Sequence, residues 1–104
     1  MSAAANALRG EAELRIGDAV HVLRPSFAAL VAAEEELGPL FALVERAADG
    51  RLALGEMAAL FWHCVRDRPA ALTREAIGEA VVAQGLAAVT PALRVLLGQI
   101  LSGR

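Results

Sequence analysis

Across residues 11 to 24, "EAELRIGDAVHVLR", apolar and polar positions alternate on both sides of Gly17-Asp18, and β-branched residues gather there as nowhere else in the chain. A period of two broken by a Gly-Asp pair predicts a β-hairpin with a short turn. A two-residue loop pairs Ile16 with Ala19 and Leu14 with His21, and places Ala12, Leu14, Ile16, His21 and Leu23 on one face. A three-residue loop sends Val20 and Val22 inward instead, because a slip of one residue exchanges the two faces. The first register is preferred.

From there the period changes to that of a helix. In "PSFAALVAAEEELGP" Ser26 supplies an N-cap oxygen, Phe27, Leu30, Val31 and Leu37 recur at helical spacing, and Gly38-Pro39 ends the run, giving a helix over roughly 27 to 37. Pro39 suits a first helical position, and Leu40, Leu43, Val44 and Ala47 carry a second, short helix to Asp49-Gly50. "LGEMAALFWHCVRD" places Met57, Leu60, Phe61, Cys64 and Val65 on one stripe and is expected to run to Arg68-Pro69. Ala53 and Leu54 offer no capping oxygen at its start. Thr73 caps "REAIGEAVVAQ", with Ile77, Ala80, Val81 and Gln84 inward and Gly85 at the stop. Gly78 weakens its middle by about 1 kcal/mol relative to Ala. For the last helix, Thr90 as N-cap with Pro91 at the first position is the better start, since Pro91 inside a helix begun at Leu86 would lose a hydrogen bond. Leu93, Leu96, Leu97, Ile100 and Leu101 then form its apolar face. The expected fold is α+β, mostly α: an N-terminal two-stranded β-hairpin packed on a bundle of four to five short helices, with residues 1–7 a flexible N-terminus and 8–102 a single domain.

Composition narrows the function. A chain of 104 residues holds one core and leaves no room for separate cofactor and substrate domains. Ten basic residues, all Arg, stand against twelve acidic ones with no basic run, so nucleic acid is a poor candidate partner. Apolar runs fall far short of the roughly 18 residues needed to span a bilayer, and no leader pattern opens the chain, which reads as cytoplasmic. One Cys and two His give no zinc-ligand spacing, and no metal or other cofactor is expected.

The stretch "FWHCVRD", residues 61 to 67, gathers the only Trp, the only Cys and one of the two His. Adjacent helical residues point about 100° apart, so His63 cannot serve Cys64 as a base, and Cys64 lies in the middle of the apolar stripe as a buried, inert thiol. His63 is a rim residue beside Leu60. Trp62 turns toward Ala58 and Val65, away from the Phe61 stripe, and either covers a second buried flank or shows an aromatic surface to a partner. Trp62 and His63 are therefore the candidate partner-binding residues. Glu35 and Glu36 read as a solvated face. Glu34 falls on the apolar stripe and is expected to form a structural ion pair or hydrogen bond with a group such as His21, Arg24 or Arg46, a reading preferred to a general acid because no second carboxylate, metal or nucleophile accompanies it.

The order of these features, "LRGEAEL" opening the hairpin, "LRPSFAALVAAEEELGPLFALVERAADGRL", then "LTREAIGEAVVAQGL" and a Leu-rich last helix, resembles the gene-transfer-agent tail protein family. The resemblance spans residues 8 to 102 and rests on Arg9-Gly10-Glu11, Leu23-Arg24, Ser26-Phe27, Glu34 with Leu37-Gly38, and Gly50-Arg51. It implies a bacterial, non-enzymatic protein of phage-like tail assembly, associated with phage-like particles. On the chaperone form of the family it would bind apolar helical segments of the tape-measure protein and yield to the tail tube protein, with self-association left open. On the other form it would be a structural subunit or adaptor of the tail. An α-rich chain with a single hairpin favours the chaperone, since a tube subunit would more naturally be β-rich.

Overall fold

The structure, a computed structural model, describes residues 11–102. The flexible N-terminus expected over 1–7 lies outside the described residues. Two strands, β1 (Ala12–Ile16) and β2 (Ala19–Leu23), are followed by five helices: α1 (Phe27–Leu37), α2 (Leu40–Ala48), α3 (Leu54–Cys64), α4 (Arg74–Gln84) and α5 (Leu86–Ser102). This is the expected α+β arrangement, mostly α.

The hairpin has the two-residue register: Ile16 faces Ala19, Leu14 faces His21 and Ala12 faces Leu23. Gly17, at the first loop position with φ 62°, supplies the positive angle that lets a tight turn follow the twist of the strands. Ala12, Leu14 and Leu23 are buried on the inner face, and β1 packs on α4 and α5. Val22, on the opposite face, is buried as well. The chain beyond α3 runs along the outer edge of β2. Leu23 and Val65 form a bridge, Arg24 N donates to Cys64 O (2.6 Å), and Arg66 N donates to Val22 O (2.8 Å). Glu11, nearly fully buried, lies beside this seam with Arg24 Nε at 3.8 Å and Arg66 Nη1 at 3.7 Å.

That seam corrects the expected end of the third helix. It stops at Cys64, not at Arg68-Pro69, because Arg24, just past β2, donates to the last carbonyl, and Val65 turns to extended geometry to bridge Leu23. The start of α3 is held by the return half of a capping box alone. Glu56 Oε1 accepts from Ala53 N (3.0 Å), and Ala53 has no oxygen to complete the reciprocal bond.

Helix α1 begins as expected, with Ser26 Oγ accepting from Ala29 N (3.2 Å), but its buried face is rolled from the expected stripe. Ala33 is fully enclosed, Ala29, Leu30 and Leu37 pack beside it, and Phe27 stands 85% exposed. A small residue at the contact lets α1 approach α3 closely, whereas a Phe stripe would hold the helices apart. Thr73 caps α4 through Ala76 N (3.0 Å), and Gln84 at its end donates to Arg15 O (2.5 Å), tying α4 to β1. A Cβ on Gly78 would lie 3.8 Å from Ala58 Cβ, an ordinary contact, so the packing of α4 on α3 does not demand glycine there.

The last helix also departs from expectation. It begins at Leu86 and carries Pro91 inside it, with Thr90 Oγ1 donating to Leu86 O (2.8 Å) instead of capping. Val89 decides this: it is buried with Ala92 and Leu96 on one face, and only a helix already formed by residue 89 puts all three inward. The Ala87 carbonyl loses its donor to the proline, but Ala87 is exposed and water can serve it. One core joins both strands and all five helices. Among the described residues no helix is long and apolar enough to cross a membrane.

Because Pro91 interrupts a helix that continues on both sides of it, Pro91→Ala should stabilise the protein by roughly 1 to 3 kcal/mol in urea unfolding. A helix starting at Thr90 would give no gain, or a loss, for the same substitution.

Candidate functional site

At the C-terminal end of α3 the side chains separate into an inward and an outward set. Cys64 is enclosed with Phe61 and Leu60, and loss of hydration pushes its thiol up to about 12 from an ordinary 9.0. It is a core residue, as its place on the stripe implies. Trp62 is half-buried and packs against the core edge. Its Nε1 donates to Leu72 O (3.2 Å), the Arg68 guanidinium lies 3.6 Å from the ring centroid, and that of Arg74 lies at 4.4 Å. Arg68 is itself fixed by donating from Nη1 to Trp62 O (2.8 Å). The indole is thus covered by two cations that stack on its electron-rich faces.

His63 meets the indole edge-on, with ring centroids 5.1 Å apart, and its side chain is only 10% exposed. Its Nε2 lies 2.8 Å from Glu36 Oε1, and the other Glu36 oxygen accepts from Arg74 Nη1. Glu36 therefore joins α1, α3 and α4. The hydrogen bond with His63, then that with Arg74, holds its carboxyl below the ordinary 4.5, against the opposing effect of partial burial. The acidic run had marked Glu36 as solvated and Glu34 as paired. In the structure both have partners: Glu36 is ion-paired, and Glu34 has a hydrogen bond but none of the cations expected for it. Glu34 is exposed, and its Oε2 accepts from the Leu40 backbone N–H (3.1 Å) across Gly38-Pro39, so its partner is the first turn of α2 and not a cation. Two of the cations proposed for it are engaged elsewhere: Arg24 beside Glu11, and Arg46 with Glu56, an ion pair that ties α2 to α3. The Ala53 backbone bond, and then Arg46, likewise hold Glu56 below its ordinary value.

The structure brings Trp62 and His63 together, but in a packed and ion-paired joint. The freely exposed aromatics are Phe27 and Phe41, the latter 77% exposed. Phe41 was legible, since it lies off the Leu40, Leu43, Val44, Ala47 stripe. Phe27 was not, because the roll of α1 depends on α3. Phe41 lines an open groove of about 270 Å³ with Leu40, Pro39 and the side chain of Glu34 on one side and Ile100 and Leu101 of α5 on the other. Apolar walls with one carboxylate at the rim can accept aliphatic or aromatic side chains of another protein. Among the described residues no group of three or more His, Cys, Asp or Glu could hold a metal ion.

A family model described as phage tail tube protein, GTA-gp10, matches residues 9–103 of the chain. No curated protein and no solved structure matches it.

Two measurements probe the α3 joint. Cys64 is enclosed and its thiol is pushed up to about 12 from an ordinary 9.0, so a thiol reagent should reach it only through opening of the fold and modify the native protein orders of magnitude more slowly than the unfolded chain. For Glu36, a carboxyl depressed in the folded state contributes stability that is present above its unfolded value near 4.5 and is lost as pH falls through its lower folded value. Unfolding free energy should therefore decline on acidification below about 4.5, and Glu36→Gln should flatten that limb, leaving a remainder from Glu56.

Proposed function

Since the chain belongs to the phage tail protein family described as phage tail tube protein, GTA-gp10, we propose that it acts without catalysis in assembling a phage-like tail, as a chaperone that binds apolar helical segments of the tape-measure protein. The observation that carries this reading is the pair of exposed aromatic rings. Of four aromatic side chains in the chain, Phe27 and Phe41 are held in solvent, and Phe41 forms one wall of the groove beside Leu101. Exposed aromatic surface on a small domain is expensive to keep soluble and is typical of a binding face. An amphipathic helix laid in the groove would place apolar side chains at i, i+3 and i+4 against Phe41, Leu40 and Leu101. This assigns the contact to Phe27 and Phe41 in place of Trp62 and His63, whose rings serve the joint between α1, α3 and α4 and give the surface its stiffness. On this reading the protein works in the bacterial cytoplasm, hands the tape measure over to the tail tube protein, and leaves before the particle is complete.

The family description favours a second reading, a structural subunit or adaptor that stays in the tail. Stoichiometric presence in purified particles, without binding to the tape measure, would establish it. The chaperone reading expects Phe27→Ser/Phe41→Ser to keep its unfolding midpoint, since exposed substitutions usually stay within about 0.5 kcal/mol, while binding to the tape-measure protein weakens roughly thirtyfold or more. Trp62→Ala, by contrast, should lower stability by about 2 kcal/mol or more through lost packing.

A further inference from the structure

Helix α4 turns Ile77 and Val81 inward, and Glu75, Gly78, Glu79 and Val82, spaced i, i+3, i+4 and i+7, form a second face. With Leu54 at the start of α3 and Ala83, these residues line a shallow apolar groove of about 480 Å³. Its exposed apolar positions are Val82 at 61% and Leu54 at 43%. Three features of this groove are unexplained by folding. Gly78 disfavours the middle of a helix although the core does not require it, and a side chain there would fill the groove floor. Val82 and Leu54 stay in water. Glu75, in the first turn of α4, is favoured there by the helix dipole, but Glu79 one turn on repels it, and among the described residues neither has an ion-pair or hydrogen-bond partner.

We infer that the groove between the start of α3 and the outer face of α4 is a docking site for an amphipathic helix of a protein partner, with an apolar stripe over Leu54, Gly78 and Val82 and a basic flank against Glu75 and Glu79. A cylinder about 10 Å across seats between two helices when one of them lacks a side chain at the crossing, which is the use of Gly78. The carboxylates select the flank: Arg or Lys relieves their repulsion, and an acidic helix is rejected. This groove shares no lining residue with the one beside Phe41 and does not depend on the chaperone reading.

The test uses the intact protein and a labelled synthetic helix of about 18 residues with a Leu stripe flanked by Arg, beside the same peptide with Glu in place of Arg, read by fluorescence anisotropy. Two exposed ion pairs together change affinity by roughly tenfold at low salt, so the Arg peptide should bind about tenfold or more tighter than the Glu peptide, with the difference shrinking as added salt shortens the screening length. Glu75→Gln/Glu79→Gln should abolish the difference and keep the fold. Val82→Ser should weaken both peptides, and Phe27→Ser/Phe41→Ser should leave the Arg peptide's affinity unchanged. Equal binding of the two peptides, undiminished binding by the Gln variant, or loss of binding in the Phe variant would each overturn the proposal. So would a dimer of this protein that excludes the Arg peptide and that Glu75→Gln/Glu79→Gln dissolves, since the groove would then belong to a second copy.

Discussion

The outer edge of β2 meeting the end of α3 is the contact on which the rest of the architecture depends. A two-stranded hairpin is marginal alone, and here its second strand gains a partner on its free edge through the Leu23–Val65 bridge and the flanking backbone bonds to Cys64 and Arg66. The same bonds stop α3 and send the chain outward through Asp67, whose positive φ of 52° an aspartate tolerates. Glu11 between Arg24 and Arg66 closes the seam with charge where apolar side chains run out.

Ending α3 at Cys64 fixes what surrounds it. Phe61 and Cys64 fill the centre of the core, and the turn that follows returns Arg68 over Trp62 and brings Arg74 to the same ring. Glu36 on α1 then finds His63 and Arg74 together, just as Arg46 on α2 finds Glu56 on α3. Charges join neighbouring helices while Ala-rich faces such as that around Ala33 bring them close. The core is satisfied with few large side chains, which leaves Phe27, Phe41, Val82 and Leu54 outside it. A stiff scaffold with separate apolar surfaces suits a protein whose work is contact with other tail proteins.

Local chemistry in the sequence located much of this. The Gly17-Asp18 turn, the Ser26 and Thr73 caps, the Gly38-Pro39 stop and the Gly85 terminus each depend on neighbours within a few residues, and each appears where the pattern predicts. Cys64 was legible for the same reason, because its burial follows from a stripe within one helix. Where the reading failed, a distant residue had the deciding interaction. Val65 continues the helical stripe of its neighbours, and the strand residue Leu23 that claims it is 42 residues away in sequence. Glu36 reads as solvated because His63 and Arg74 are invisible from the acidic run.

By itself the sequence determined the hairpin, with its two-residue register preferred over one alternative, a run of four to five helices in this order, the burial of the lone thiol, and a family resemblance to phage-like tail proteins. Short-range hydrogen bonds and the periods of two and 3.6 suffice for those. Only the tertiary structure decided the roll of α1 that exposes Phe27, the start of α5 at Leu86, the covering of Trp62 by Arg68 and Arg74, and the two surface grooves. The physical reason is common to all four. A helix has more than one apolar stripe it can bury, and the energies that separate them come from contacts across the core, which Val89 supplies for α5 against its own proline and Ala33 supplies for α1 against its own phenylalanine.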